Sequence, residues 1–163
     1  MDTASTRPDL ETFYKNGRAV QVKIHRRYVG GFLAKTPTRG TVGSACYDLY
    51  AAEKALIRPG EVAKIDTGLN VAIPVGWMMC IHPRSGKFMR GVDTAGVVDS
   101  DYRGPLYIMM HNSGNAITWV EIGERLAQCT VIPVPEIDWC DVSDLDDLGH
   151  TDRGEGGFGS TGE

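Results

Sequence analysis

Leu106-Tyr107-Ile108-Met109-Met110-His111-Asn112-Ser113-Gly114-Asn115 sets apolar side chains at positions 106, 108 and 110 and then breaks into a polar, glycine-containing turn. Apolar residues at period two mark a strand that buries one face. The same spacing recurs at Val20, Val22 and Ile24, and at Leu69, Val71 and Ile73, and a mostly apolar run extends from Leu126 to Val134. Between these segments lie Arg58-Pro59-Gly60-Glu61, Pro74-Val75-Gly76 and Glu121-Ile122-Gly123-Glu124. Such turn signals are too closely spaced for helical crossovers, so the chain is expected to be all-β and antiparallel, a sandwich or a barrel. The best helix candidate is Pro8 to Asn16, with proline at the first position, Asp9 and Glu11 in the first turn and Gly17 closing it. It belongs to an N-terminal extension (1–18), ahead of a β core (19–142) and a C-terminal arm (143–163).

At 163 residues the chain is one ordinary domain, able to bury roughly 70% of its unfolded surface. Its 17 Lys and Arg against 21 Asp and Glu leave a net charge of −4, which disfavours a general nucleic-acid binder. No run approaches the roughly 18 apolar residues of a membrane span, and the first residues, carrying Asp2, Asp9 and Glu11, lack the apolar stretch of a signal peptide. No membrane partner is expected, and the expected location is the cytoplasm, or the host's cytoplasm for a viral chain. Cys46, Cys80, Cys129 and Cys140 match neither a zinc ribbon nor a disulfide framework, and read as free thiols mostly buried in strands. His25, His82, His111 and His150 are equally scattered, which disfavours a protein-held transition metal.

Glycine is the compositional outlier, 20 of 163 residues against a usual share of about 7%. The sequence turns acidic at Asp141 and ends in Arg153-Gly154-Glu155-Gly156-Gly157-Phe158-Gly159-Ser160-Thr161-Gly162, in which five of ten residues are glycine. Such a segment does not hold a fixed conformation by itself. It lacks the lysine of a P-loop, yet its Arg, Phe and two hydroxyls are what a tail needs to grip a phosphate and cover a flat ring. A second anion candidate is Pro83-Arg84-Ser85-Gly86, with a guanidinium fork, Ser85 as helix N-cap and a glycine that admits close approach. A third segment, Gly96-Val97-Val98-Asp99-Ser100-Asp101-Tyr102-Arg103-Gly104, offers a carboxylate next to an apolar pair as a general base toward water, or else a charged surface hairpin. Two shorter pieces, Gly43 to Ala52 around Asp48 and Gly123 to Gln128, complete the set.

Together and in this order, the five segments resemble the five motifs of the trimeric dUTPase family, from about Val20 to Gly162. The resemblance implies a jelly-roll-like β subunit that forms a homotrimer with a mobile glycine-rich tail. Each active site then takes its first, second and fourth motifs from one subunit, the third from another and the tail from the remaining one. It also implies Mg²⁺-dependent hydrolysis of dUTP to dUMP and pyrophosphate, which keeps uracil out of DNA and supplies dUMP for dTTP synthesis. In that scheme Asp99 activates the water that attacks the α-phosphorus, Gly96 of the same motif binds substrate, and Tyr102 lies against the deoxyribose and excludes a 2′-hydroxyl. Arg84, Ser85 and Gly86 hold phosphates, with Gln128 nearby, and Asp48 holds Mg²⁺ through water. Phe158 stacks on uracil, Gly159 beside it binds substrate, and Arg153, Ser160 and Thr161 close on the γ-phosphate.

The chain departs from the family pattern in three places. Cys46 stands where a glycine is usual, Lys87 and Phe88 replace a small apolar pair, and the stretch from Lys87 to Ala95 is shorter. Lys87 either adds a phosphate contact or points to solvent. Asp93 either accepts from the amino group of a cytosine, or faces solvent or caps the hairpin. His25-Arg26-Arg27 is either a basic patch or a solvated strand end, Trp77, Met78 and Met79 are core or trimer interface, and Trp119 and Trp139 are candidates to pack on a neighbouring chain. A regulatory protein partner docking on the N-terminal extension, and a related dCTP deaminase, are the competing functional readings. The intact Asp99 motif and glycine tail disfavour the deaminase.

Overall fold

Two facing antiparallel sheets, with period-two burial clearest along Trp77–Pro83 and Pro105–Asn112, make up the computed structural model, which describes residues 19–156. The strands are β1 (Lys23–Arg26), β2 (Tyr28–Val29), β3 (Phe32–Leu33), β4 (Tyr47–Tyr50), β5 (Ala55–Ile57), β6 (Val62–Ala72) and β7 (Trp77–Pro83), then β8 (Val92–Thr94), β9 (Gly96–Val98), β10 (Pro105–Asn112), β11 (Thr118–Val120) and β12 (Arg125–Pro133). One sheet has the order β1-β6-β10-β8 and the other β4-β12-β7-β9, with β5-β11 and β2-β3 as two-stranded ribbons. This is the expected all-β, jelly-roll-like sandwich, with open sheets rather than a closed barrel. The candidate helix at Pro8 to Asn16 lies outside the described residues. No described helix is long and apolar enough to cross a membrane.

Leu106, Ile108 and Met110 all point into the core, as does Leu69 from the neighbouring β6. They meet Leu49, Met79, Ile81 and Leu126 of the other sheet in one apolar cluster. Burying each such side chain contributes about 1.5–3 kcal/mol relative to exposure. The opening alternation stops at Asn112, which is fully buried. Its Nδ2 donates to the carbonyls of Ile57 (2.9 Å) and Ala116 (2.8 Å), and its Oδ1 accepts from the Gly114 N–H, so one side chain holds the turn.

At Val20 and Val22 the alternation is right about burial but early about pairing. Both pack half-buried against the core, whereas the ladder begins at Lys23 and Ile24 is 38% exposed. His25-Arg26-Arg27 is a solvated strand end, with His25 and Arg26 exposed, and not a free basic patch, because both arginines are engaged. Arg26 Nε donates to the Ala34 carbonyl, and Arg27 bridges Asn70 and the buried Asp66. Asp66 sits at a bulge where β6 gains two residues against β10, and Gly68 there has φ +71° with Ala34 against its Cα. Any side chain at Gly68 would be strained and would lie 2.7 Å from the Ala34 Cβ.

The thiols are free, but only Cys129 is buried; Cys46 and Cys80 are half-buried and Cys140 is exposed. The expectation of mostly buried cysteines fails because Cys46 precedes β4 and Cys140 lies in the arm beyond β12. Trp77 and Met79 are core, and Met78 is half-buried.

Candidate active site

The order β4-β12-β7 brings three separate sequence segments to one end of one sheet. Gln128 on β12 is flanked by Asp48 on β4 and His82 on β7, and Arg84 follows where β7 ends. A cleft of about 200 Å³ opens there, lined by Gly40, Ser44, Cys46, Asp48, Arg84, Ser85, Arg125 and Gln128. The Asp48 carboxylate accepts from Arg84 Nε at 2.9 Å and lies 3.5 Å from Arg125 Nη1, which fixes both guanidiniums at the rim. Gln128 Nε2 donates to the Pro83 carbonyl, tying β12 to the same corner.

The helix after Arg84 is a single turn, α1 (Ser85–Phe88), with Arg84 at its N-cap position. Ser85 is thus the first helical residue rather than the cap, because the N–H groups of Lys87 and Phe88 already bond the Arg84 carbonyl. Ser85 still lines the cleft, next to Gly86 in the same turn. Lys87 neither reaches the cleft nor points to solvent. It forms a short ion pair with Glu124 across the corner. Burial pushes the Glu124 carboxyl up, but the Lys87 hydrogen bond, the Glu121 N–H and the charges of Lys87 and Arg90 together hold it below its ordinary value. Beneath the cleft, burial pushes the Cys129 thiol up to about 12, with Cys46 and Asp48 adding to the shift.

Asp99 and Tyr102 lie elsewhere. β9 is the far edge of the same sheet, and from there the chain turns through 99–104. Both residues are exposed and line a second cleft of about 360 Å³ with Gly96, Val98, Leu106 and Tyr107 among its walls. Tyr102 Oη donates to the Pro105 carbonyl at 2.9 Å. The hydroxyl end of the ring packs on Gly104, where an added Cβ would clash with it. Arg103 Nη1 braces the turn through the carbonyls of Ser100 and Tyr102. The register of β9 on β7 sets Asp99 beside Met78, six residues along the strand from Arg84, or roughly 20 Å at about 3.3 Å per residue. Within one chain the carboxylate does not reach the guanidinium cleft.

Asp93 does not line either cleft. It is exposed, opposite His111, and its Oδ1 accepts from the N–H of the adjacent Thr94, so it faces solvent as one of its readings holds. Arg153 is exposed on the arm, its Nε bonded to the Gly156 carbonyl. Phe158, Gly159, Ser160 and Thr161 lie outside the described residues. Arg125 is the residue that sequence reasoning missed. It stands three positions before Gln128, so a strict period-two strand would send the two to opposite faces. A register shift between Arg125 and Ala127 brings both to the cleft.

The described residues hold no cluster of three or more His, Cys, Asp or Glu able to cage a metal. Asp48 is the one carboxylate in the first cleft, and two arginines already engage it. That donor set fits a hard cation met through water rather than ligated directly.

Comparison with known proteins agrees with this geometry. A family model described as dUTPase matches residues 33–162. The deoxyuridine 5′-triphosphate nucleotidohydrolase of Yarrowia lipolytica is 46% identical over 133 residues, covering 79% of this chain and 83% of that protein. Among solved structures, the dUTPase of Staphylococcus bacteriophage 80alpha with dUPNHPP matches at TM-score 0.77 and 25% identity, covering 88% of this chain and 99% of that one. A variant of the dUTPase from phage phi11 of S. aureus, described as coordinating a structural Mg(II) ion, shares the fold at TM-score 0.69 and 21% identity, covering 77% and 99%. With most of its length matched by the family model and by a relative of that identity, the chain belongs to the dUTPase family.

Proposed function

We propose that this protein hydrolyses dUTP at the α-phosphorus, with Mg²⁺, in an active site assembled from three copies of the chain. Family membership makes it a dUTP diphosphatase, yielding dUMP and pyrophosphate. The observation that supports a site shared between copies is the separation of roughly 20 Å between Asp99 and Arg84 along one sheet. In-line displacement at phosphorus requires a base, a water and the phosphate charges to be neutralised within a few ångströms. A site that works must therefore join the Asp99 end of one copy to the Arg84 end of another.

In that assembly Asp99 takes a proton from the attacking water. Arg84, Ser85 and Gly86 bind the α- and β-phosphates, and Arg125 and Gln128 flank them. Asp48 holds the two guanidiniums in place and, through water, is the residue that faces Mg²⁺. When bound, Mg²⁺ neutralises triphosphate charge and leaves the α-phosphorus more open to attack. Tyr102, pinned by its bond to Pro105 and seated on Gly104, is a flat rigid wall against which a 2′-deoxy sugar packs and a 2′-hydroxyl clashes. The tail from Arg153 through Phe158 to Thr161 closes over the nucleotide from the third copy. Also in favour of a homotrimer is the arm beyond β12, on which Ile137, Trp139, Leu145 and Leu148 are 61%, 84%, 71% and 69% exposed in the single chain. The cellular role that follows is to remove dUTP before a polymerase incorporates it and to supply dUMP for dTTP synthesis, in the cytoplasm.

The test is pyrophosphate release from dUTP, dCTP, dTTP and UTP with and without Mg²⁺, for the wild type and Asp99→Asn. Release confined to dUTP, dependent on Mg²⁺ and reduced on the order of 10²–10⁴-fold in the variant is the expected result. Unchanged turnover in Asp99→Asn would remove Asp99 from the chemistry.

A further inference from the structure

Thr94 is the one residue lining the second cleft whose polar side-chain atom is buried and without a hydrogen-bond partner. It is 6% exposed, and its Oγ1 is the single buried side-chain nitrogen or oxygen among the described residues without a hydrogen bond. The strand alternates Val92 inward, Asp93 outward and Thr94 inward, so the hydroxyl is held inside by the same periodicity that turns Asp93 away. A buried hydroxyl left unpaired opposes folding, and native structures seldom keep one without a use for it.

The place is specific. Thr94 opposite Met110 is where β8 ends its pairing with β10, and two residues later Gly96 is already opposite Ile81 on the other sheet. The chain thus crosses from one sheet to the other at Ala95. The edge of β10 from Pro105 to Met109, on the side away from β6, has no strand beside it among the described residues, and neither does the outer edge of β9. The cleft occupies this wedge. Ile81, Val98 and Leu106 supply apolar walls, Asp99 and Tyr102 belong to the loop that follows β9, and Thr94 lies where the two strands diverge. A flat ring with polar atoms on one edge suits such a space, since its faces meet apolar walls and its edge needs donors and acceptors.

We propose that Thr94 Oγ1 hydrogen-bonds the polar edge of the pyrimidine ring and so determines how tightly the cleft holds the base. The assignment rests on the dUTPase reading of this site and adds a residue that reading does not use. A hydroxyl both donates and accepts, and uracil presents a carbonyl oxygen beside a ring N–H on one edge, so a single rotor can serve either. Thr94 is a binding residue and takes no part in moving the proton at Asp99.

The experiment measures KM and kcat for dUTP, and inhibition by dUMP and by inorganic pyrophosphate, in the wild type, Thr94→Val, Thr94→Ala and Thr94→Ser. Valine keeps the shape and removes the hydroxyl. The expected result is a rise in KM for dUTP, and a matching loss of dUMP inhibition, on the order of tenfold in Thr94→Val and Thr94→Ala. The change in kcat is much smaller than the change in KM, and Thr94→Ser returns both constants to near wild type. Pyrophosphate, which has no base, inhibits all four proteins equally. A Thr94→Val enzyme with wild-type KM, a Thr94→Ser enzyme as impaired as Thr94→Val, or an equal loss of pyrophosphate inhibition would each overturn the assignment while leaving the dUTPase reading intact. A wild type that neither turns over dUTP nor responds to dUMP would overturn both.

Discussion

Around the guanidinium cleft individual side chains are already committed to one another, and this determines what substitution and pH will do. Asp48 is shared by Arg84 and Arg125, and Lys87 is taken up by Glu124. Because the Glu124 carboxyl is held below its ordinary value in the folded chain, the folded state binds its proton less readily than the unfolded state does. Its contribution is complete above the unfolded value, about 4.3, and fades as pH falls through the lower folded value. Urea melts of the wild type and Glu124→Gln at pH 7, 4 and 3 should therefore show a wild-type advantage at neutral pH that shrinks in acid. An advantage that stays constant with pH would mean that the pair carries no linkage. None of this was visible in the sequence, because Lys87 and Glu124 are 37 positions apart and meet only through the pairing of β12 with β7. That Asp48, Arg84 and Gln128 belong together was legible from motifs, and they do line one cleft, whereas Arg125 was concealed by a one-residue change of strand phase.

Strands and turns were more readable than side-chain partners, because alternation and turn chemistry are local signals. The segment from Leu106 to Asn115 shows both. Its inward residues are those the alternation selects, and Asn112 ends it by bonding three backbone groups. Asn112→Ala leaves the Ile57 and Ala116 carbonyls and the Gly114 N–H without that partner. It should lower unfolding free energy by about 2–4 kcal/mol, read as a lower denaturant midpoint at unchanged slope. The crossing from β8 to β9 was not legible. Thr94-Ala95 contains no glycine, proline or asparagine, and the change of sheet is dictated by which edges are free, a property of the assembled sandwich. Asp93 drew attention in the sequence for its charge, yet the strand turns it outward and turns its neutral neighbour in.

At the scale of the whole molecule, the sheet order keeps Asp99 and Arg84 apart, and complementation between defective copies tests directly whether the proposed site is shared between chains. Asp99→Asn and Arg84→Ala are each expected to be inactive alone. Denatured together in equal amounts and refolded, they should recover about a quarter of wild-type activity, since a random trimer supplies an intact carboxylate from one copy and an intact guanidinium from another in that share of its sites. No recovery, in a mixture shown to be trimeric, would mean that each site is built within a single chain. The fold class of this assembly was readable from strand periodicity. The trimer was not, and rested on the resemblance alone, because exposed Trp139 or Leu145 looks no different in sequence from a core residue.

The distance along β7 also has a consequence for abundance. In the assembly proposed above, a solitary copy, though its apolar core is closed by its own residues, carries only parts of sites that other copies complete. Output then depends on encounters among copies and rises more steeply than in proportion to their number. A cell or virus making little of this protein would hold a folded but silent pool, which becomes an enzyme only once synthesis has raised its concentration past the point of assembly.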